Sequence, residues 1–245
     1  LTSKYDHIAR NPGEVKGLFD DIAPGYDRLN RVMSFGLDIG WRKRLAKMLM
    51  GKDYHSILDV CAGTGDLAIE LHQTLGADVH VDGLDFSAEA VRLGQRKVAE
   101  LKLSDKIRII EGDAADLPYA NDTFDALSIG FGLRNIQDRQ KALAEFRRVV
   151  KPGGEFLCLE VSQPPKILAP FYYFYMLLVM PLIARIMGAN VEAYRYLGRS
   201  IRAFPGAKKL AGLIEAAGWQ DVSYIRLGLG SVAIHNARKP LKAVD

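Results

Sequence analysis

Asp59-Val60-Cys61-Ala62-Gly63-Thr64-Gly65-Asp66 is the stretch that decides the fold. The residues leading into it, Ser56 to Cys61, form a short apolar run, and Leu67 to Leu75 behind it reads as a helix. A strand that turns on glycines into a helix is a ligand-binding junction. Gly63 and Gly65 let the backbone bend tightly and approach a ligand closely. The helix start behind them offers unpaired N–H groups. Asp85 closes the next strand, twenty positions after Gly65. A carboxylate there is placed to accept hydrogen bonds from ribose hydroxyls.

Outward from this junction, strands and helices alternate. Val79 to Asp85, Ile107 to Glu111, Phe124 to Ile129 and Glu155 to Glu160 read as strands. Ala88 to Leu101 and Arg139 to Val149 read as helices, the second ended by Lys151-Pro152-Gly153-Gly154. Such alternation requires crossover connections and a parallel sheet. Ala211 to Ala217 is a last helix, closed by Gly218. Asp221 to Leu227 and Ser231 to Ala237 are two strands joined only by Gly228-Leu229-Gly230. So short a loop makes them antiparallel neighbours. The expected fold is α/β and Rossmann-like, a mostly parallel seven-stranded sheet with one antiparallel strand near the C-terminus, plus helical cap elements.

The 245 residues fit one domain, divided into a helical cap (1–50), a cofactor-binding core (51–163), a helical insertion or lid (164–210) and a last helix with its strand pair (211–245). Within the cap, Trp41 to Met50 alternates basic and apolar positions at helical spacing and stops at Gly51. Composition is ordinary for a globular protein, which excludes a disordered tail or a fibre. The net charge of +4 is mild and no dense basic stripe appears, so nucleic acid is not an expected partner. Cys61 and Cys158 read as buried thiols of a reducing compartment, consistent with a cytoplasmic protein. Leu1-Thr2-Ser3-Lys4 carries no apolar signal region, and the missing Met points to a trimmed chain.

Two ligand classes compete for the junction. Ala68 completes a Gly-x-Gly-x-x-Ala pattern suited to a dinucleotide. Asp59 and Asp66, however, place negative charge on both sides of the loop, which suits a sulfonium and an α-amino group better than a pyrophosphate. Gly112-Asp113-Ala114 follows the third strand, where a carboxylate can meet an adenine amine. A pair of turn glycines without any ligand is the plainer alternative.

The loop, its spacing to Asp85, Gly112-Asp113-Ala114, Leu117-Pro118-Tyr119 and Lys151-Pro152-Gly153-Gly154 resemble those of class I methyltransferases. Four longer strings narrow the match: Phe19 to Asn30, Phe131-Gly132-Leu133-Arg134-Asn135, Leu159 to Pro164, and Tyr194 to Leu197 with Ser200-Ile201. From Val15 to Arg238 the chain resembles the ubiquinone/menaquinone biosynthesis C-methyltransferases of UbiE type. The resemblance implies S-adenosylmethionine as cofactor, held by Asp59, Gly63, Thr64, Gly65, Asp85, Phe86, Asp113, Ala114 and Gly130. It also implies C-methylation of a lipid-tailed quinol, either demethylmenaquinol or a 2-polyprenyl benzoquinol. The ubiquinone-type members often carry Ser where this chain has Gly130, which looks more like the menaquinone type. A sterol or polyketide ring, a non-catalytic cofactor-binding protein and a nicotinamide oxidoreductase are the alternatives.

In such chemistry a ring carbon attacks a methyl group in line, after a ring hydroxyl loses its proton, and the developing phenolate needs stabilising. Arg134 is the candidate for that stabilisation, with Asn135 as orienter. Tyr26, Tyr194 and His235 are candidate proton acceptors or relays. Each has a plainer reading: Arg134 pairing with Asp138 across a helix start, the tyrosines as packing, His235 as a structural histidine. No metal-ligand cluster is apparent. Ile167 to Ala184 is mostly apolar, but Pro170 and Pro181 interrupt it, so it reads as a lid forming one wall of the substrate pocket. Contact of that lid with the inner face of the membrane, aided by the basic face of Trp41 to Lys47, is a further expectation. The oligomeric state is open, a homodimer included.

Overall fold

The structure, a computed structural model, describes residues 31–186 and 198–241. The strings containing Tyr26 and Tyr194 lie outside the described residues. Seven strands form one sheet in the order β3-β2-β1-β4-β5-β7-β6. In chain order these are β1 (Ser56–Val60), β2 (His80–Asp85), β3 (Ile107–Glu111), β4 (Phe124–Gly130), β5 (Val150–Val161), β6 (Gln220–Leu227) and β7 (Val232–Arg238). The first five are parallel. β7 runs antiparallel to both β5 and β6, so the reversed strand lies one place in from the edge. The chain reverses its winding between β1 and β4, and open α/β sheets bind ligands in the crevice beyond the strand ends at that point.

Helices cover both faces. On one lie α1 (Leu37–Lys47), α2 (Asp66–Leu75) and α3 (Ala88–Glu100). Their apolar positions, Leu45, Leu71 and Val98 among them, pack with Ile57, Val81, Ile109 and Leu157 of the sheet. On the other lie α4 (Arg139–Val149) and the helix Ala207–Ala216, which bring Leu143, Phe146, Leu210 and Ile214 onto Leu127, Phe156 and Cys158. Phe156 is sandwiched by Phe146 at 5.7 Å and Trp219 at 5.1 Å between ring centroids. Between β5 and the final helix the insertion contributes α5 (Ala169–Phe174), a π-helical turn (Tyr175–Val179) and α6 (Met180–Ile186), so the helix Ala207–Ala216 is α7. No helix among the described residues is long and apolar enough to cross a membrane.

Three boundaries differ from the sequence reading, two of them for a tertiary reason. Lys151-Pro152-Gly153-Gly154 does not stand between a helix and a strand; it lies inside β5. Phe124 pairs with Val150 and Ala126 with Glu155, so β5 carries an irregular bulge there. A Cβ on Gly154 would lie 2.5 Å from the Asp125 carbonyl oxygen, so β4 passes too closely for any side chain. α1 begins at Leu37, not Trp41, because Asp38 in its first turn pairs with Arg42 at 2.5 Å. α7 begins at Ala207, not Ala211, where Ser162 Oγ accepts the Ala207 N–H at 3.0 Å. Ser162 sits just beyond β5, 45 residues away, and no local pattern announces it.

Candidate active site

At the end of β1 the backbone enters the left-handed region at Cys61, Gly63 and Gly65, with φ of 56°, 56° and 82°. Asp85, at the end of β2, holds this turn. Its Oδ2 accepts the Gly63 N–H at 2.8 Å and its Oδ1 accepts the Ser87 N–H at 3.0 Å. Ser87 in turn caps α3 by accepting the Ala90 N–H. Half-buried Phe86 lies between the two. Among the described residues, nothing lies within 4 Å of where a Gly63 Cβ would point. The turn therefore faces the crevice with bare backbone.

Asp59 is buried on the same strand. Ser128 of β4 donates to its Oδ1 at 2.6 Å, while its Oδ2 is buried with no hydrogen-bond partner among the described residues. Burial raises the carboxyl from its ordinary 3.8 to about 7; Ser128 and Arg42 offset this only in part. A buried acceptor left open suits a cationic ligand. S-adenosylmethionine, with its sulfonium and α-ammonium, fits: Asp59 would meet positive charge and Asp85 the ribose.

This carboxyl carries a pH signature. Between about pH 4 and about pH 7 folded Asp59 keeps a proton that unfolded Asp59 has released, so its contribution to stability falls as pH rises through that window. A bound cation favours the ionised form, so binding expels the proton. Affinity for S-adenosylmethionine is expected to climb with pH up to about 7 and then level off, as read by calorimetry. Asp59→Asn should flatten the slope. A wild-type affinity that ignores pH across this range would contradict the assignment.

Asp66 plays another part than the sequence reading gave it. Its carboxylate is answered by Lys97 at 2.7 Å, Arg42 at 3.6 Å and Arg31 at 3.8 Å. Burial works against the carboxylate, but these cations outweigh it and hold its pKa below the usual range. It therefore adds little net negative charge toward a ligand. Lys97 also donates to Thr64 Oγ1 at 3.0 Å, fixing the middle of the turn. Arg42, expected on a solvated basic face, is turned inward, while Lys43, Arg44 and Lys47 remain exposed.

Asp113 is exposed just beyond β3, its Oδ1 accepting the Ala115 N–H at 2.8 Å, and Ala114 is buried beside it. Gly130 ends β4, where an added Cβ would stand 3.1 Å from Leu67 Cδ2. That contact is tight enough to press a serine on α2.

Beyond Gly130 the chain turns through Phe131, at φ 58°, into a single 3-10 turn, Leu133–Asn135. Gly132 is needed there: its Cβ would stand 2.3 Å from that of Cys61. Arg134 is buried, but not against Asp138, which caps α4 by accepting the Lys141 N–H. Its partner is Glu160 at the end of β5, with Nη1 3.0 Å from Oε1. Nη1 also donates to the Phe131 carbonyl. Half-buried Asn135 follows, its N–H bonded to Gly132 O at 3.0 Å. In the lid, burial raises the Tyr172 phenol pKa far above the ordinary value, and the charges of Arg134 and Glu160 also act on it.

His235 sits in β7, opposite Cys158, with Nε2 2.9 Å from Ala207 O and its ring tilted on Tyr224. Burial lowers its proton affinity. A lowered proton affinity makes the imidazole a weaker proton acceptor than a free one.

Sequence reasoning assigned no role to Glu160, Ser128, Lys97 or Tyr172. Glu160 left a signal: an acid closing the apolar run Phe156 to Leu159. A charge in a core strand asks for a partner.

A family model described as the ubiE/COQ5 methyltransferase family matches residues 7–239. A demethylmenaquinone methyltransferase of Lactiplantibacillus plantarum is 41% identical over 244 residues, covering 99% of this chain and 100% of that one. One of Bacillus subtilis is 40% identical over 222 residues, covering 90% and 95%. Among solved structures, a SAM-dependent methyltransferase from Aquifex aeolicus superposes with a TM-score of 0.62 at 18% identity, covering 94% of this chain and 99% of that one, a likeness of fold. The chain belongs to the ubiE/COQ5 methyltransferase family and is an S-adenosylmethionine-dependent methyltransferase.

Proposed function

We propose that the chain transfers a methyl group to a ring carbon of a lipid-tailed quinol, converting demethylmenaquinol to menaquinol. The observation that carries this reading is the 41% identity, across the full length of both chains, to a demethylmenaquinone methyltransferase. Bound cofactor supplies an electrophilic methyl group on a positively charged sulfur. The chain's own residues bring the ring carbon up to it and hold the charge that develops on the ring oxygen. Arg134, buried on the turn that follows β4, does the latter. A guanidinium stays charged in proteins, so Arg134 stabilises the phenolate and does not take its proton. Asn135 follows on the same turn and orients the ring. Asp59, Gly63, Thr64, Gly65, Asp85, Phe86, Asp113, Ala114 and Gly130 form the cofactor side. His235, bound to Ala207, serves the fold.

The lid supports a membrane-surface reading. Ile167, Phe171, Phe174, Leu178 and Leu182 recur at helical spacing and are all exposed, Ile167 by 80% and Phe171 by 75%. The opposite face packs Met176 and Met180 on Ile201 with Tyr172, Tyr175 and Met33. Exposed Lys166 and Arg185 stand at either end of the stripe, and no acidic residue lies between them. An apolar stripe bounded by cations suits an anionic lipid surface, where the quinol resides.

One assay tests both readings: labelled methyl transfer to demethylmenaquinol carried in anionic or in neutral vesicles, with a benzoquinol precursor and NADH binding as controls. Product from the naphthoquinol, with faster turnover and co-sedimentation on anionic vesicles, is expected. Cofactor binding without product on either ring would refute the quinol. Sedimentation indifferent to lipid charge would refute the surface contact.

A further inference from the structure

We propose that Glu160 is the positioning residue for Arg134, setting the direction of its guanidinium toward the reacting ring; this rests on the reading of Arg134 given above. One carboxylate holds residue 134 by both its main chain and its side chain. Glu160 Oε2 accepts the Arg134 backbone N–H at 3.0 Å, and Oε1 accepts Nη1 at 3.0 Å. Oε1 also accepts the Val161 N–H at 2.8 Å, which ties the carboxylate to its own strand. Arg139 completes the frame from α4, donating to the carbonyls of Arg134 at 2.9 Å and Leu133 at 3.2 Å.

The consequence is geometric. A long arginine side chain has many rotamers, and a cation that stabilises a transition state must already point at it. Glu160 is 1% exposed and stands at the end of β5, a central strand, so it has no freedom of its own. It lends that rigidity to a residue on a short loop. Its charge also makes the pair neutral before substrate enters, so the pocket admits an uncharged quinol without a bare buried cation.

Glutamine at position 160 keeps the size but replaces one of the two accepting oxygens with an N–H donor, which then faces a donor from Arg134 or Val161. Glu160→Gln is expected to lower kcat about tenfold or more, with affinity for S-adenosylmethionine and KM for the quinol within about threefold. In an Arg134→Gln background the same change should cost less than about twofold, because nothing remains to be aimed. Glu160→Asp, which keeps the charge on a shorter arm, should recover part of the loss. Equal losses from Glu160→Gln in both backgrounds would overturn the proposal, as would a fully active Glu160→Gln. Should Glu160→Gln fail to bind cofactor, Glu160→Asp decides: a loss in kcat with cofactor binding intact supports positioning. Unchanged kcat, or lost binding there too, overturns it. An Arg134→Gln enzyme as active as wild type would refute the role of Arg134 itself.

Discussion

Arg134→Gln is expected to lower kcat about 100- to 1,000-fold while S-adenosylmethionine binds within about threefold of wild type. The side chain is buried and, among the described residues, is bonded to Glu160 and the Phe131 carbonyl, not to the residues that shape the cofactor turn. Its removal leaves Asp85, Gly63 and Asp59 in place. What it takes away is the charge that meets the phenolate, and removing one such donor from a dry site costs about 2.7–4 kcal/mol of barrier. Arg134→Lys should rescue little, since an ammonium cannot reach Glu160, the Phe131 carbonyl and the ring together in the guanidinium's planar geometry. Single-turnover methyl transfer from preloaded enzyme measures this directly. A loss that appears in cofactor affinity instead would move Arg134 to the other half of the site.

Asp85→Ala should strike the cofactor half. Isothermal titration is expected to show affinity for S-adenosylmethionine about 100- to 1,000-fold weaker, from two charge-assisted hydrogen bonds worth about 1.5–2 kcal/mol each. The change also strips the acceptor from the Gly63 and Ser87 N–H groups, so the turn loses its anchor as well. Asp85→Asn separates these effects. Its amide oxygen can keep one of the two backbone bonds, so it should fall between alanine and wild type. A variant at this position that binds cofactor as tightly as wild type would place the ribose elsewhere.

The cofactor turn was legible because its determinants are local. Gly63 and Gly65 adopt positive φ wherever a strand must turn so sharply into a helix, and the change from strand to helical spacing marks the place. The β6–β7 reversal was legible for a similar reason, a three-residue connection that leaves no room for a crossover. What escaped was set by distant partners. Arg134 has an acid four residues on, yet its counter-ion comes from 26 residues away, because Asp138 is taken up in capping α4. Asp66 looked like a source of negative field, but cations from α1 and α3 answer it. Lys151 to Gly154 has the composition of a turn, and only the close passage of β4 makes it a bulge. Local pattern reports which backbone shapes are cheap; it does not report which charge another strand will bring.

Asp66 has a wider consequence. It opens α2 immediately behind Gly65, and the cations around it arrive from both sides: Arg31 from ahead of α1, Arg42 from α1 itself and Lys97 from α3. Arg42 is itself buried and shared with Asp38, so withdrawing the helix that carries it would strand charge in the interior. The first helix is therefore keyed into the cofactor turn like a wedge into an arch. Its seating and the shape of that turn are thereby linked through the carboxylate of Asp66.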